Sequence, residues 1–142
     1  MLLPDVNVII NAYREDAVEH PRFKAWLDGV VNSDEPYGVS DLVLSGFLRI
    51  VTHPRIFRPP SPTNDAIAFA DRVRDQPNAV VVMPGPRHWG IFSGLCRAVG
   101  ARGNLIPDAY FAALAIESGS EWITTDGDYG RFPGLRWRRP FD

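Results

Sequence analysis

A single cysteine, a single lysine and no long apolar run define what this chain of 142 residues does not do. Cys96 has no second cysteine to pair with, so an internal disulfide is excluded. It also has no histidine near it in sequence to raise its nucleophilicity. Its surroundings, Phe92-Ser93-Gly94-Leu95-Cys96-Arg97-Ala98, read as a buried stretch of helix. Lys24 is the only lysine, and it falls early in the chain. The 3 histidines, His20, His53 and His88, are not paired at ligand spacing, which argues against a zinc site. No apolar segment approaches the ~20 residues of a membrane span. The first ten residues contain Asp5 and lack a basic start, so no signal peptide is expected. These absences predict a soluble, cytoplasmic protein without a membrane partner. A net charge of −2 excludes a globally basic surface but leaves room for local basic patches.

What is present is the composition of a folded protein, 45% hydrophobic and 23% charged. The length suits one domain over residues 1–142 with one core. Met1 to Pro4 reads as a buried strand, and Val6 to Tyr13 as a helix starting just after Asp5. Pro21 to Val31 carries Phe23, Trp26, Leu27, Val30 and Val31 at helical spacing. Tyr37 to Ser40 is a short strand. Ser40 or Asp41 can cap the helix that follows, which stops near His53-Pro54. After a proline-rich connection at 58–62, Thr63 or Asn64 caps a helix ending before Pro77. Ala79 to Met83, with three consecutive valines, is the clearest candidate for a buried strand. Helices are predicted from Pro86 to Val99 and from Leu105 to Ser118, closed by Gly100 and Gly119. Trp122 to Thr125 is a strand, and Leu135 to Arg138 a last edge strand. Alternation of strands and helices predicts a three-layer α/β sandwich around a mostly parallel sheet of four to five strands.

Against this layout, four aspartates stand out. Asp5 ends the first apolar run, Asp108 opens a helix, and Asp126 and Asp128 follow another apolar run. The ends of strands in an open α/β sheet meet in a crevice at their carboxyl edge. Carboxylates gathered there repel one another unless a cation neutralises them. An oxygen-only set suits Mg2+ or Mn2+. Each aspartate taken alone also serves as an ordinary cap or turn residue.

Three segments carry a family resemblance. Asp5-Val6-Asn7-Val8 follows an apolar strand. Asn104-Leu105-Ile106-Pro107-Asp108-Ala109-Tyr110-Phe111-Ala112-Ala113-Leu114-Ala115 begins an alanine-rich helix with an Asp-Ala pair. Ile123-Thr124-Thr125-Asp126-Gly127-Asp128-Tyr129-Gly130-Arg131-Phe132-Pro133-Gly134-Leu135 has Thr-x-Asp, a second Asp, then Phe and Leu. In this order the chain resembles the PIN-domain family, and within it the VapC-type toxin ribonucleases, over nearly its whole length. The resemblance implies a metal-dependent endoribonuclease using Mg2+ or Mn2+ held by Asp5, Asp108, Asp126 and Asp128, with Asp5, Asp108 and Asp126 catalytic. Metal-activated water would attack phosphorus in line and leave 5′-phosphate and 3′-hydroxyl ends. It further implies a VapB-type antitoxin partner, a structured RNA substrate such as tRNA or rRNA, and a homodimer. Phe23, Trp26, Leu44, Phe47 and Leu48 are candidates for the apolar contact surface, or for core. One position departs from the family pattern: Gly46 stands where a helical glutamate is expected, and Asp41 is the nearest substitute carboxylate.

Supporting roles stay open at this level. Asn7 either holds a metal-bound water or orients Asp5, or it satisfies the first helical turn. Thr124 or Thr125 either bonds the phosphate or an aspartate, or is a plain strand residue. Arg131, Arg136, Arg138 and Arg139 with Trp137, and separately Arg49 with His53 and Arg55, suit RNA contact or a solvated edge. Two rival functions remain. A degenerate site would make the domain an RNA- or partner-binding module. A phosphatase of the haloacid dehalogenase type needs a lysine late in the fold, where this chain has none.

Overall fold

The computed structural model describes all residues, 1–142. Five strands form one sheet in the order β3-β2-β1-β4-β5, with every neighbouring pair parallel. The strands are β1 (Leu2–Pro4), β2 (Tyr37–Val39), β3 (Ala79–Val81), β4 (Glu121–Ile123) and β5 (Trp137–Arg138). Six helices flank them: α1 (Val6–Tyr13), α2 (His20–Val31), α3 (Asp41–Val51), α4 (Thr63–Arg74), α5 (His88–Val99) and α6 (Leu105–Ser118). The α/β sandwich expected from the sequence is thus present, with a fully parallel sheet. No helix is long and apolar enough to cross a membrane.

Local chemistry sets most element ends. Asp5 caps α1 by accepting the Val6 N–H, and Ser40, not Asp41, caps α3 by accepting from Val43. Neither Thr63 nor Asn64 caps α4, which starts at Thr63 without a side-chain cap. Gly100 and Gly119 close α5 and α6 at φ 61° and 67°, a backbone region that only glycine enters without strain. The buried face of α6 is built of Ala109, Ala112, Ala113 and Ala115, all at 0% exposure. Such small side chains let the helix backbone lie close against the rest of the core.

One sequence expectation is overturned and one open alternative is decided. The valine-rich strand β3 is an edge strand, not a buried one, and Val80 is 41% exposed. A run of apolar residues reports an apolar face, whereas position in the sheet is decided by long-range pairing. Phe23, Leu44 and Phe47 are buried in the main core, and Trp26 and Leu48 pack partly against it, so these five do not form a free apolar stripe.

The chain order places a crevice at the carboxyl ends of β1 and β4. From β1 the chain moves to β2 and β3 on one side, then returns to β4 on the other. Ligands in open α/β sheets bind at such a reversal point. The register Pro4↔Ile123 brings the next residues, Asp5 and Thr124, out side by side. The Asp5 N–H donates to the Ile123 carbonyl at 2.8 Å, extending the pairing to the crevice floor.

Candidate metal centre and acidic cavity

Asp5 is 5% exposed and its carboxylate is heavily engaged. Oδ1 accepts the Val6 N–H at 2.6 Å. Oδ2 accepts the Thr124 hydroxyl at 2.6 Å and the Asn7 amide at 3.1 Å. Thr124 is the hub of this corner, since its Oγ1 also accepts the Asp126 N–H at 3.0 Å. Asn7 ties the corner shut: its Oδ1 accepts the Thr125 N–H at 3.2 Å. Of the roles open to Asn7, orienting Asp5 is the one visible in the hydrogen bonding. Thr124, rather than Thr125, is the side chain that bonds an aspartate.

Asp108 arrives from the first turn of α6, and its Oδ1 accepts the Tyr129 hydroxyl at 3.2 Å. Asp126 caps a short 3-10 turn, Gly127–Arg131, by accepting the Asp128 N–H at 2.9 Å. Asp5, Asn7, Asp108, Asp126 and Tyr129 together line one cavity of about 490 Å³. Asp128 does not line it; its side chain, 70% exposed, pairs with Arg131 at 3.5 Å. Asp128 is nevertheless near enough to raise the Asp108 carboxyl through charge repulsion.

Electrostatics mark the cavity as short of positive charge. Burial pushes the Asp5 carboxyl up to about 6. Its hydrogen bonds from Thr124 and Val6 oppose that rise, while the charges of Asp108 and Asp126 add to it. Burial also raises Asp108; the Tyr129 hydrogen bond opposes this, Asp126 and Asp128 add to it, and Arg131 is the one cation opposing it. Burial, followed by the charges of Asp5 and Asp108, lifts the Tyr129 phenol far above its ordinary value, so it stays a hydrogen-bond donor.

No group of three or more His, Cys, Asp or Glu side chains stands close enough to hold a metal ion by protein ligands alone. The donor set still fits a hard divalent cation. Mg2+ keeps several waters and binds through one or two carboxylates, and all acidic groups lining the cavity are oxygen donors whose charges repel. Asp5 and Asp108, with Asp126 beside them, are the residues that would hold it.

Helix α3 forms another wall, with Ser45, Gly46 and Arg49. A Cβ built on Gly46 would meet Val6 Cγ2 at 3.2 Å, so a side chain there would need the Val6 side chain to give by a few tenths of an ångström. Asp41 does not replace the missing glutamate. It points instead to Arg74, which bonds both its oxygens at 2.8 and 3.3 Å, and it lines no part of the acidic cavity. Arg49 is the only basic residue on the cavity wall. The C-terminal arginines serve internal contacts: Arg136 donates to the Gly119 carbonyl at 2.7 Å and Arg138 to Glu121 at 3.0 Å. His53 accepts the Arg55 N–H, and His88 is buried against Phe92 and Tyr110. Cys96 is half-buried in α5.

The residues that the sequence did not single out are Tyr129, Ser45 and Asn104, all on the cavity wall. Tyr129 lay within a recognised motif, and its position directly after Asp128 was the available signal. Asn104 likewise opened a recognised motif, four residues before Asp108, whereas Ser45 carried no signal, because only the packing of α1, α3 and α6 brings it to the cavity.

Comparison with known proteins gives a consistent picture. The PIN domain family model matches residues 2–135. VapC ribonuclease Mb2897 of Mycobacterium bovis is 43% identical over 142 residues, covering 100% of this chain and 97% of that one. Ribonuclease VapC25 of Mycobacterium tuberculosis is 41% identical over 140 residues, covering 99% of each. Among solved structures, VapBC2 from Rickettsia felis bound to a promoter DNA fragment matches at a TM-score of 0.70 and 15% identity, covering 97% of each chain. VapC20 of Mycobacterium tuberculosis, described as a sarcin-ricin loop cleaving toxin, matches at 0.63 and 16% identity, covering 96% of this chain and 99% of that one. At such identities the structural matches speak to the fold.

Proposed function

Since the chain belongs to the PIN-domain family, we propose that it is a VapC-type toxin: an endoribonuclease dependent on Mg2+ or Mn2+. The observation that carries this reading is the cavity at the β1–β4 reversal. There, carboxylates from three distant segments face one another without a basic partner for Asp5. A divalent cation held there supplies activation of water and stabilisation of the leaving oxygen. The chain's own residues do the rest. Thr124 and Asn7 fix the Asp5 carboxylate in one orientation. Tyr129 holds Asp108, and the 3-10 turn after β4 holds Asp126. Arg49 faces the same cavity and offers a cation to an RNA phosphate. Water would add to phosphorus as the bond to the 3′ oxygen breaks and that oxygen takes up a proton, with the RNA 2′-hydroxyl uninvolved, so the products would carry 5′-phosphate and 3′-hydroxyl ends.

The expected substrate is a structured RNA of the tRNA or rRNA class. The expected partners are a VapB-type antitoxin covering the cavity and a second copy of the chain. Incubation with total RNA and Mg2+ or Mn2+ tests the reading. Cleavage stops with EDTA and falls by about 100-fold or more in Asp108→Asn, while Asp41→Asn cleaves like the wild type. RNA bound but intact would favour a binding module, and release of phosphate from small phosphoesters alone would favour a phosphatase. Expression alone arrests growth, and co-expression with the antitoxin restores it.

A further inference from the structure

Asp108 is the one acidic residue of the cavity brought by a helix start rather than by the β1–β4 corner, and its support comes from across the site. The Tyr129 hydroxyl donates to its Oδ1 at 3.2 Å, and Oδ2 has no protein partner. Tyr129 is 3% exposed, so its ring has little freedom. The ring packs against Trp122 at 5.5 Å between centroids and against Phe132 at 5.9 Å. Trp122 in turn stacks on Phe111 of α6, with centroids 5.3 Å apart and planes 20° apart. The ring ladder and the hydroxyl therefore link β4, the 3-10 turn and α6, and the hydroxyl is the one polar contact the ladder makes with a carboxylate of the cavity. Packing alone would be met equally by phenylalanine. The hydroxyl adds nothing to the ladder except its bond to Asp108.

We propose that Tyr129 is a positioning residue for the metal site: its hydroxyl occupies one oxygen of Asp108 and fixes the carboxylate plane, leaving the other oxygen to hold the divalent cation. The inference rests on the metal-dependent reading given above. A hydrogen bond from an outer partner orients a metal ligand and is worth about 10- to 100-fold in metal affinity. Side chains locked by packing hold such geometry better than mobile ones.

Tyr129→Phe keeps the ring and deletes the bond. Calorimetric titration of the full chain with Mn2+ gives a Kd weakened by about tenfold or more in this variant. The Mg2+ concentration for half-maximal RNA cleavage rises in parallel. Tyr37→Phe is the companion variant. It removes another buried tyrosine hydroxyl, bonded to the Val73 carbonyl and away from the cavity. Its Mn2+ affinity stays at the wild-type value, which separates positioning of Asp108 from general loosening. A Mn2+ Kd within twofold of wild type for Tyr129→Phe overturns the proposal. So does an equal weakening in both variants. A wild-type chain that binds no Mn2+ overturns the metal reading itself, which is a different result from an unchanged ratio between variants.

Discussion

The cost of the site is concentrated in single side chains. Asp5 is buried, hydrogen-bonded three times and faced by two further acids, and its carboxyl is pushed from 3.8 up to about 6. At about 1.4 kcal/mol per pKa unit this corresponds to roughly 3 kcal/mol. The folded-state value lies above the unfolded one. The protonated carboxyl therefore favours folding fully below about pH 3.8, and that contribution is lost as pH rises through about 6. Asp108 shifts in the same direction. Metal-free protein in EDTA should lose up to about 3 kcal/mol of stability between pH 4 and pH 7, and Asp5→Asn should flatten most of that slope. Urea denaturation across this range checks it; a wild-type stability that climbs steadily through the same window contradicts it. At pH 7, added Mg2+ should recover stability in the wild type and not in Asp108→Asn.

Elements explain how those residues come to face each other. The carboxyl ends of β1 and β4 are fixed by parallel pairing, which brings Asp5 and Thr124 into contact across 119 positions of sequence. Helix α6 brings Asp108 by packing closely through an alanine face. Ala112 lies one helical turn beyond Asp108 and is fully buried. Ala112→Leu should therefore cost about 1–3 kcal/mol through overpacking, read as a lower urea midpoint. It should also reduce RNA cleavage, because the displaced helix moves Asp108. An unchanged midpoint would mean that α6 does not need its small residues. Helix α3 plays the opposite part. Gly46 packs against Val6, and of the residues this helix turns to the cavity Ser45 and Arg49 are polar and none is acidic.

At the level of the whole molecule, legibility followed distance along the chain. Helix ends written in local chemistry, such as Asp5 at α1 and the glycines closing α5 and α6, could be read directly. So could the placement of Asp5, Asp108 and Asp126, because each follows an apolar run that had to become a strand or opens a periodic helix. What could not be read depended on which elements pack together. Three valines in a row gave β3 the look of a central strand, yet nothing local encodes its place at the sheet edge. Asp41 looked like a spare carboxylate until Arg74, 33 residues away, claimed it. Asp128 resembles Asp126 in sequence, but the 3-10 turn sends it outward to Arg131 while Asp126 lines the cavity. Thr124 and Thr125 are equivalent on paper, and only strand register gives Asp5 to the first.

Asp5 and Asp108, with Asp126 beside them, would hold one divalent ion at the β1–β4 reversal, the rest of its shell being water. Anomalous diffraction from crystals soaked in Mn2+ tests this most directly. A Mn2+ peak bounded by these carboxylates, with water completing the shell, is expected, and it should disappear in Asp108→Asn. A fully soaked wild-type crystal with no peak between them, or with Mn2+ bound only elsewhere, would contradict it.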